Sequence, residues 1–500
     1  MRLGMLRVLV LAASLALVAA PGCKKEEPKQ EAKKEDPAAK AKAEAEAKAK
    51  EAAEAAAKAE AEAKAKAEAE AKAAEEAKAK AEAEAKAAEE AAAKAAEEAK
   101  AKAEAEAKAA EEAAAKAKAE AEAKGMELVD KAIAAAGGIE ALTAKFAAYT
   151  VKSKGLYMGM AYEMTTYWKA PDKMVMDIVS DRHGGMAMGY SSDDCWNRMG
   201  DIVVDCMEEE KKTVPMMLWS SYLFNLYPMK GEGFVATYKG DKELDGKKLA
   251  LVEVTKEGAP GAVTFGFDSE TGLVSLEEYA GTMGGKEGVV SMRISAWQDV
   301  DGIKAPLKST MLFGESMVME DEFVSATFGT VDEALLARPA QAAAGTTRIK
   351  PVVEHNVVFA LHKGPYDGIG ATIGKVYACI GMNGLVPLSG PTMAYLKDPS
   401  QTQNPEEYET EVFVEIGPTT LEQLQGEGCG MKKIPAGEVA ARVEIGPYDK
   451  VAANYGELAK WIGKNGYAVS GPALMATYNN PATTAPDALV SELMFMVVKK

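Results

Sequence analysis

GPYDGIGATIGKVYACIGMNG (residues 364–384) and GPYDKVAANYGELAKWIGKNG (residues 446–466) are two versions of one segment. Each opens with Gly-Pro-Tyr-Asp, and proline suits the first turn of a helix because its φ is already set and its missing N–H is not needed there. Ile369, Ile373, Val376 and Ile380 in the first copy recur as Val451, Tyr455, Leu458 and Ile462 in the second. That spacing predicts a helix in each copy with one apolar face turned to a sheet. Asn383-Gly384 and Asn465-Gly466 are residues that accept a left-handed C-cap, so they end the helices. Further out, Ser389-Gly390-Pro391 returns as Ser470-Gly471-Pro472. A strand then runs to Asp398-Pro399 or Asn480-Pro481, and a final strand starts at Glu411 or Glu492. Each half reads as strand–helix–strand–strand, and two halves side by side make one antiparallel sheet with helices on one face.

The final strand also carries the chemistry. Glu492, Met494 and Met496 share one face, and Leu493, Phe495 and Val497 the other. A carboxylate among apolar neighbours must be met by a cation, a hydrogen bond or a proton. In the first half Glu411 and Phe413 stand opposite Val412, Val414 and Ile416. This arrangement closely resembles the GyrI-like, or AraC-type effector-binding, domain over residues 350–500. The resemblance implies a cleft between the halves for small, often cationic, aromatic ligands, with Glu492 at the position of the buried glutamate that meets them. Glu411, Tyr366, Tyr395, Tyr448, Trp461 and Tyr478 are the other candidate ligand-binding residues, since aromatic faces suit a cation. The simpler roles are helix-to-sheet packing for Trp461 and shaping of the helix entry for Tyr366 and Tyr448. Some members of the family hydrolyse reactive electrophiles with the pocket glutamate, which makes Glu492 the one candidate catalytic residue. His183, His355 and His362 lack metal-ligand spacing, and no Walker loop or nucleophile-elbow serine occurs. No metal or cofactor is expected.

Ahead of a linker at 341–349, residues 125–340 open with a short helix, Gly137-Gly138 and a second short helix, then turn into alternating runs from Ala148 to Thr330. An apolar stretch at Val214–Leu226 predicts one covering helix. Asp194-Cys195-Trp196, Phe267-Asp268 through Thr271-Gly272-Leu273, and Val300-Asp301-Gly302-Ile303 followed by Pro306 resemble the LolA-like lipoprotein-carrier group, although Asp194 stands where glycine is usual. The resemblance implies an open half-barrel with a helical lid over an apolar cavity that takes acyl chains. Met158, Met160, Met164, Met174, Met176, Met186, Met188, Met216 and Met217 crowd this segment. Flexible thioethers suit either such a cavity or ordinary core filling.

Residues 38–124 are almost pure Ala, Glu and Lys, the strongest helix formers, between Pro37 and Gly125. AEAEAKAAEEA recurs from Ala67, Ala81 and Ala103, and Glu60/Lys64 and Glu68/Lys72 are among many pairs four apart. A helix of this length rises roughly 130 Å. Without a Leu-rich stripe it reads as a solvated spacer, with an alanine coiled coil as the alternative. It resembles the TolA-like envelope spacer. Before it, Arg2, Arg7 and the short apolar run Val8–Ala20 read as a signal peptide, residues 1–22. Ala20-Pro21-Gly22-Cys23 resembles a bacterial lipobox, though leucine is usual at Ala20 and Pro21 is atypical; the resemblance implies lipidation of Cys23, a tether over 23–37, and, with Lys24 rather than Asp next, the outer membrane. An even set of further cysteines suits an oxidising compartment. Cys195 and Cys206 flank a hairpin and can pair locally; Cys379 and Cys429 would pair across the last domain, and four free thiols are the alternative. A net charge of −17 and a pI near 5 leave no basic patch for nucleic acid.

The chain is therefore expected to be multidomain: a long single α-helix, a mainly antiparallel β half-barrel with a helical lid, and a duplicated α+β effector-binding domain. The expected function is non-catalytic capture of small hydrophobic or cationic amphiphilic molecules in the periplasm by a lipid-anchored envelope protein. Alternatives are a lipid or lipoprotein carrier, a hydrolase using Glu492, and a structural spacer docking to an envelope protein partner.

Overall fold

The structure, a computed structural model, describes residues 42–180, 184–283 and 286–500. The signal segment, Cys23, the tether, residues 38–41 of the rod and His183 lie outside them. The chain divides into two units, residues 1–108 and 109–500. Among the described residues no helix is long and apolar enough to cross a membrane.

Helix α1 runs Lys42–Ala136. Within it Lys102–Glu106, Lys116–Glu120 and Lys118–Glu122 approach to 3.7–3.9 Å as exposed pairs. Such pairs are worth a few tenths of a kcal/mol, less in this Lys-to-Glu order. Gly125 was expected to end the rod; the helix passes straight through it. A Cβ at Gly125 would stand 2.3 Å from the Ala236 carbonyl oxygen, so glycine serves close approach to a strand and not termination. Past Gly125 the alanine pattern gives way to a buried stripe, Val129, Ala132, Ile133 and Ala136, at the 3–4 spacing of one helix face. Gly137 and Gly138, both with positive φ, then stop α1, and α2 (Ile139–Phe146) follows.

Thirteen strands form one antiparallel sheet: β1 (Ala148–Tyr157), β2 (Met160–Lys169), β3 (Lys173–Ser180), β4 (Gly184–Tyr190), β5 (Cys195–Met199), β6 (Ile202–Asp205), β7 (Phe234–Leu244), β8 (Lys247–Lys256), β9 (Val263–Asp268), β10 (Val274–Met283), β11 (Lys286–Val300), β12 (Ile303–Phe313) and β13 (Ser316–Phe328). Their order, β6-β5-β4-β3-β2-β1-β13-β12-β11-β10-β9-β8-β7, is two meanders joined where β1 pairs β13. Strands β5 and β7 show no clean alternation in the sequence, because Cys195-Trp-Asn-Arg-Met and the Lys-Gly-Asp-Lys of β7 mask it. The edges β6 and β7 are linked in sequence by α3 (Glu208–Phe224), which is the predicted covering helix. One core joins the end of α1, α2, Leu223 of α3 and Phe265, Phe267 and Ile294 of the sheet. A second packs Val214 and Leu218 of α3 on Trp168, Met174 and Tyr190. The short α4 (Glu333–Leu336) sets Leu336 against a smaller cluster of Val175, Ala187, Trp196 and Val203.

The second sheet has eight strands: β14 (Thr347–Val352), β15 (His355–Lys363), β16 (Thr392–Lys397), β17 (Glu409–Ile416), β18 (Gly430–Ile434), β19 (Gly437–Ile445), β20 (Tyr467–Thr477) and β21 (Val490–Lys499). The order β14-β19-β21-β20-β16-β17-β15-β18 reads as two equivalent halves meeting at β20 and β16. Each half gains an outer strand, β14 or β18, beyond the predicted three. The first-copy helix is α5 (Ile369–Met382). The second is broken into α6 (Tyr448–Val451), a 3₁₀ turn over Ala452–Asn454, and α7 (Tyr455–Lys464), where one helix was expected. Asn454 sits at the break and donates through Nδ2 to Glu444 Oε2 on β19, 3.0 Å away. Asn383 and Asn465 are the C-caps, followed by Gly384 and Gly466 in the left-handed region. The core between helices and sheet holds Val376, Ile380, Leu458, Ile462, Val412, Val414, Leu493 and Val497.

Candidate functional site

Alternation along β21 sends Leu493 and Val497 to the helices and Glu492 and Met494 to the opposite face. Glu492 is fully buried there. Lys350 Nζ lies 2.5 Å from its Oε2, and Arg348 Nη2 lies 2.7 Å from its Oε1. The Tyr478 hydroxyl also donates to it. Burial pushes the Glu492 carboxyl up, but Lys350, Tyr478 and Arg348 outweigh it, so the group is held below the usual range and stays ionised. Tyr478 is pushed far above the usual phenol range by burial and by the adjacent carboxylate. Arg348 makes a second ion contact, to Asp201 in the β5–β6 turn of the other sheet.

The first half repeats the motif in simpler form. Glu411 projects from β17, and Lys432 Nζ on β18 lies 2.5 Å from its Oε1. The same Nζ lies 5.1 Å from the Phe359 ring centroid, so one ammonium is set between a carboxylate and an aromatic face. Lys350 pairs with Val439 on β19 as Lys432 pairs with Val357 on β15, which makes the two lysines counterparts. Glu411 is 13% exposed and Lys432 38% exposed, whereas Glu492 is at 0%. Three strand spacings separate β21 from β17, roughly 14 Å at ~4.8 Å each. A small molecule therefore meets one carboxylate or the other.

The remaining predicted site residues lie on the helix side. Tyr395, Tyr448 and Trp461 pack on the core that holds Leu493, and Tyr366 joins them through its ring contact with Tyr395. Tyr366 stacks on Tyr408 at 5.1 Å and meets Tyr395 edge-on at 5.5 Å; Tyr395, Tyr455 and Phe495 continue the series. Burial, with Asp398 and Tyr408 nearby, pushes Tyr366 up to about 12. Tyr448 donates to the Asn479 carbonyl at 3.3 Å. The structure thus brings Tyr478 to Glu492 but sets Tyr366, Tyr395, Tyr448 and Trp461 behind the sheet. Sequence reasoning missed Arg348, Lys350 and Lys432. The signal was present, since Arg348 and Lys350 alternate along one strand face and both charges need a carboxylate to meet them.

In the first domain Met174, Met176, Met188, Met216 and Met217 belong to core clusters, whereas Met158, Met160, Met164 and Met186 belong to none. Met174, Met176 and Met188 pack beneath α3 against its Met217, and Met216, Met229 and Met292 belong to the neighbouring cluster. A groove of about 810 Å³ lies elsewhere and is of mixed character, lined by Lys154, Glu163 and Glu320 but also by Leu156, Tyr162 and Val179. Beneath α3, Glu277 is buried with Ser220 Oγ donating to it at 2.6 Å. Burial pushes its carboxyl up to about 7 against the opposing effect of that hydrogen bond. Cys195 bonds Cys206 across the base of the β5–β6 hairpin, and Cys379 bonds Cys429. Among the described residues no group of His, Cys, Asp and Glu is placed to hold a metal ion.

Residues 312–417 and 414–498 match the family model for the GyrI-like small molecule binding domain. No curated protein matches the chain. Among solved structures, the C-terminal domain of EcmrR is 18% identical, with 31% of this chain and 99% of that one covered and a TM-score of 0.27. A hydrolase from Listeria innocua is 12% identical, with 31% and 94% covered and a TM-score of 0.26. A putative outer membrane lipoprotein-sorting protein domain from Vibrio parahaemolyticus is 12% identical, with 42% and 96% covered and a TM-score of 0.30. A LolA superfamily protein from Nitrosomonas europaea is 10% identical, with 43% and 97% covered and a TM-score of 0.30. The last two cover the middle region. The C-terminal part of this chain is a GyrI-like small molecule binding domain.

Proposed function

We propose that the chain captures small organic cations, without turnover, on the sheet face that carries Glu411. The observation behind this reading is Lys432, whose ammonium sits 2.5 Å from the Glu411 carboxylate and over the Phe359 ring. The chain's own cation occupies the place a ligand cation would take. Lysine is a flexible tethered charge, and this one is more than a third exposed, so it can swing into water when a ligand arrives. The exchange keeps the carboxylate neutralised throughout, which removes the main obstacle to a charge in a poorly solvated site. Phe413 and Phe359 are cross-strand neighbours beside it and offer apolar surface for the rest of the ligand. Glu492 supports binding over catalysis. A carboxylate held ionised by two cations and shut off from solvent is a weak base and a hindered nucleophile.

The placement of this activity rests on the sequence. Cys23 holds the chain by lipid at the outer membrane, facing the periplasm, and the Ala/Lys/Glu helix spaces the binding domain from it. The half-barrel is given a supporting role, since α3 packs with methionines against its sheet.

Phenyltrimethylammonium and its neutral isostere tert-butylbenzene separate charge from shape. Glu411→Gln is expected to weaken the cation by about tenfold or more, the effect of removing the counter-charge from a largely buried ion pair, and to leave the neutral compound within about twofold. Calorimetric titration reads both. Equal losses for the two ligands, or no binding of the cation by the unaltered protein, would refute the reading.

A further inference from the structure

The two halves of the eight-stranded sheet differ in how their carboxylates are guarded. Glu411 has one partner, Lys432, with both groups reached by solvent. Glu492 has Lys350, Arg348 and Tyr478, and is closed over by the β5–β6 hairpin of the other sheet. Ile202 and Val204 of that hairpin pack on Val443 and Val490, all four at most 5% exposed. The connecting segment is bound on both sides. Ala342 N donates to the Asp201 carbonyl at 3.1 Å, Val203 N donates to Gln341 Oε1 at 2.5 Å, and Gly345 N donates to the Val443 carbonyl at 2.7 Å. The Cys195–Cys206 bond ties the hairpin base and β5 pairs with β4, so the hairpin and its own sheet form one arm against the second sheet.

We infer that Arg348 is a latch: it ties this arm to Glu492 and keeps the second carboxylate closed, and a ligand cation that takes Glu492 frees Arg348 and releases the arm. This rests on the reading above, that carboxylates on this face bind organic cations. The bonding of Arg348 favours exchange. One nitrogen, Nη2, makes both ion contacts, to Glu492 and to Asp201. Nη1 is buried without a hydrogen-bond partner, so the guanidinium fork is only half used. Only the Glu492 contact is aligned as a hydrogen bond; Asp201 Oδ1 accepts none. The Asp201 arm is thus the weaker one. Arg348, Lys350, Glu492 and Asp201 balance at two positive and two negative charges. An incoming cation must expel one of the two basic side chains, and Arg348 is the one whose departure also unties the hairpin.

Asp201→Asn in the full chain tests this, because Asp201 is part-exposed and its loss leaves Glu492 with its cations. Two readouts are taken. The first is proteolysis of the connecting segment, residues 337–346, which should be cut about tenfold faster in the variant, as for loss of one partner of an interfacial charge pair. The second is equilibrium dialysis with phenyltrimethylammonium, expected to give one bound cation per unaltered chain, two in Asp201→Asn, where the opened arm lets Arg348 turn into water and yield its place on Glu492, and one again in Asp201→Asn with Glu492→Gln. If the unaltered chain binds no cation, the ligand reading fails and the proteolysis alone judges the latch. If it binds one, and Asp201→Asn neither gains a second nor is cut faster, the latch is wrong and the ligand reading stands.

Discussion

Glu492→Gln is expected to lower the unfolding free energy by about 3 kcal/mol, the scale for removing one partner of a buried ionic cluster. The substitution keeps shape and two hydrogen-bonding atoms but deletes the charge that Arg348 and Lys350 share. Both cations are about one-quarter to one-third exposed and regain some water, which keeps the figure at the lower end of the range. Urea unfolding followed by intrinsic fluorescence measures it. Because the cluster is buried, the loss should persist at high salt, unlike that of a surface pair. A change below about 0.5 kcal/mol, the level of an ordinary surface substitution, would mean that Glu492 does not hold the cluster together.

The second large effect belongs to Glu277. Its carboxyl titrates near 7 in the fold against the usual 4.5, because burial under α3 outweighs the Ser220 hydrogen bond. The folded protein therefore keeps a proton that the unfolded chain gives up. Stability from this group is complete below about pH 4.5, declines as pH rises toward 7, and is absent above it, a span of about 3 kcal/mol. The Tyr279 hydroxyl also faces this carboxylate, is itself pushed up by burial, and stays neutral across the window. In Glu277→Gln the dependence disappears. The stability difference between variant and unaltered protein should shift in the variant's favour by about 3 kcal/mol between pH 4.5 and pH 8. Urea titrations at the two pH values give it; a constant difference would place the charge in a solvated setting.

The duplicated unit was legible because its signals are local and repeated. Gly-Pro-Tyr-Asp, the helical stripe and Asn-Gly each occur twice, and the second copy checks the first. The helix break at Asn454 was not legible, since it depends on Glu444 from a distant strand. The continuation of α1 through Gly125 was missed for the same reason, as the close approach to Ala236 is tertiary. Glu492 was recognised as a carboxylate needing a partner, but its partner was sought outside the chain. The cations that meet it come from β14, an edge strand whose pairing with β19 spans nearly a hundred residues. Tyr395 and Trp461 were grouped with Glu492 by type, whereas strand alternation turns Tyr395 away from the Glu492 face and Trp461 sits on the helix that covers the other side. The methionines show the limit of composition, because thioethers that suit a ligand chamber suit a helix-filled core equally well.

The ligand reading stands or falls on whether Lys432 holds a place for a cation or recognises an anion. Lys432→Met removes the tethered ammonium and keeps an apolar stem over Phe359. Calorimetric titration of this variant with phenyltrimethylammonium should show binding about tenfold tighter than in the unaltered protein, because the internal competitor is gone and Glu411 is left seeking a counter-charge. Unchanged or weaker binding of the cation, or tight binding of an aromatic carboxylate that Lys432→Met abolishes, would contradict the account.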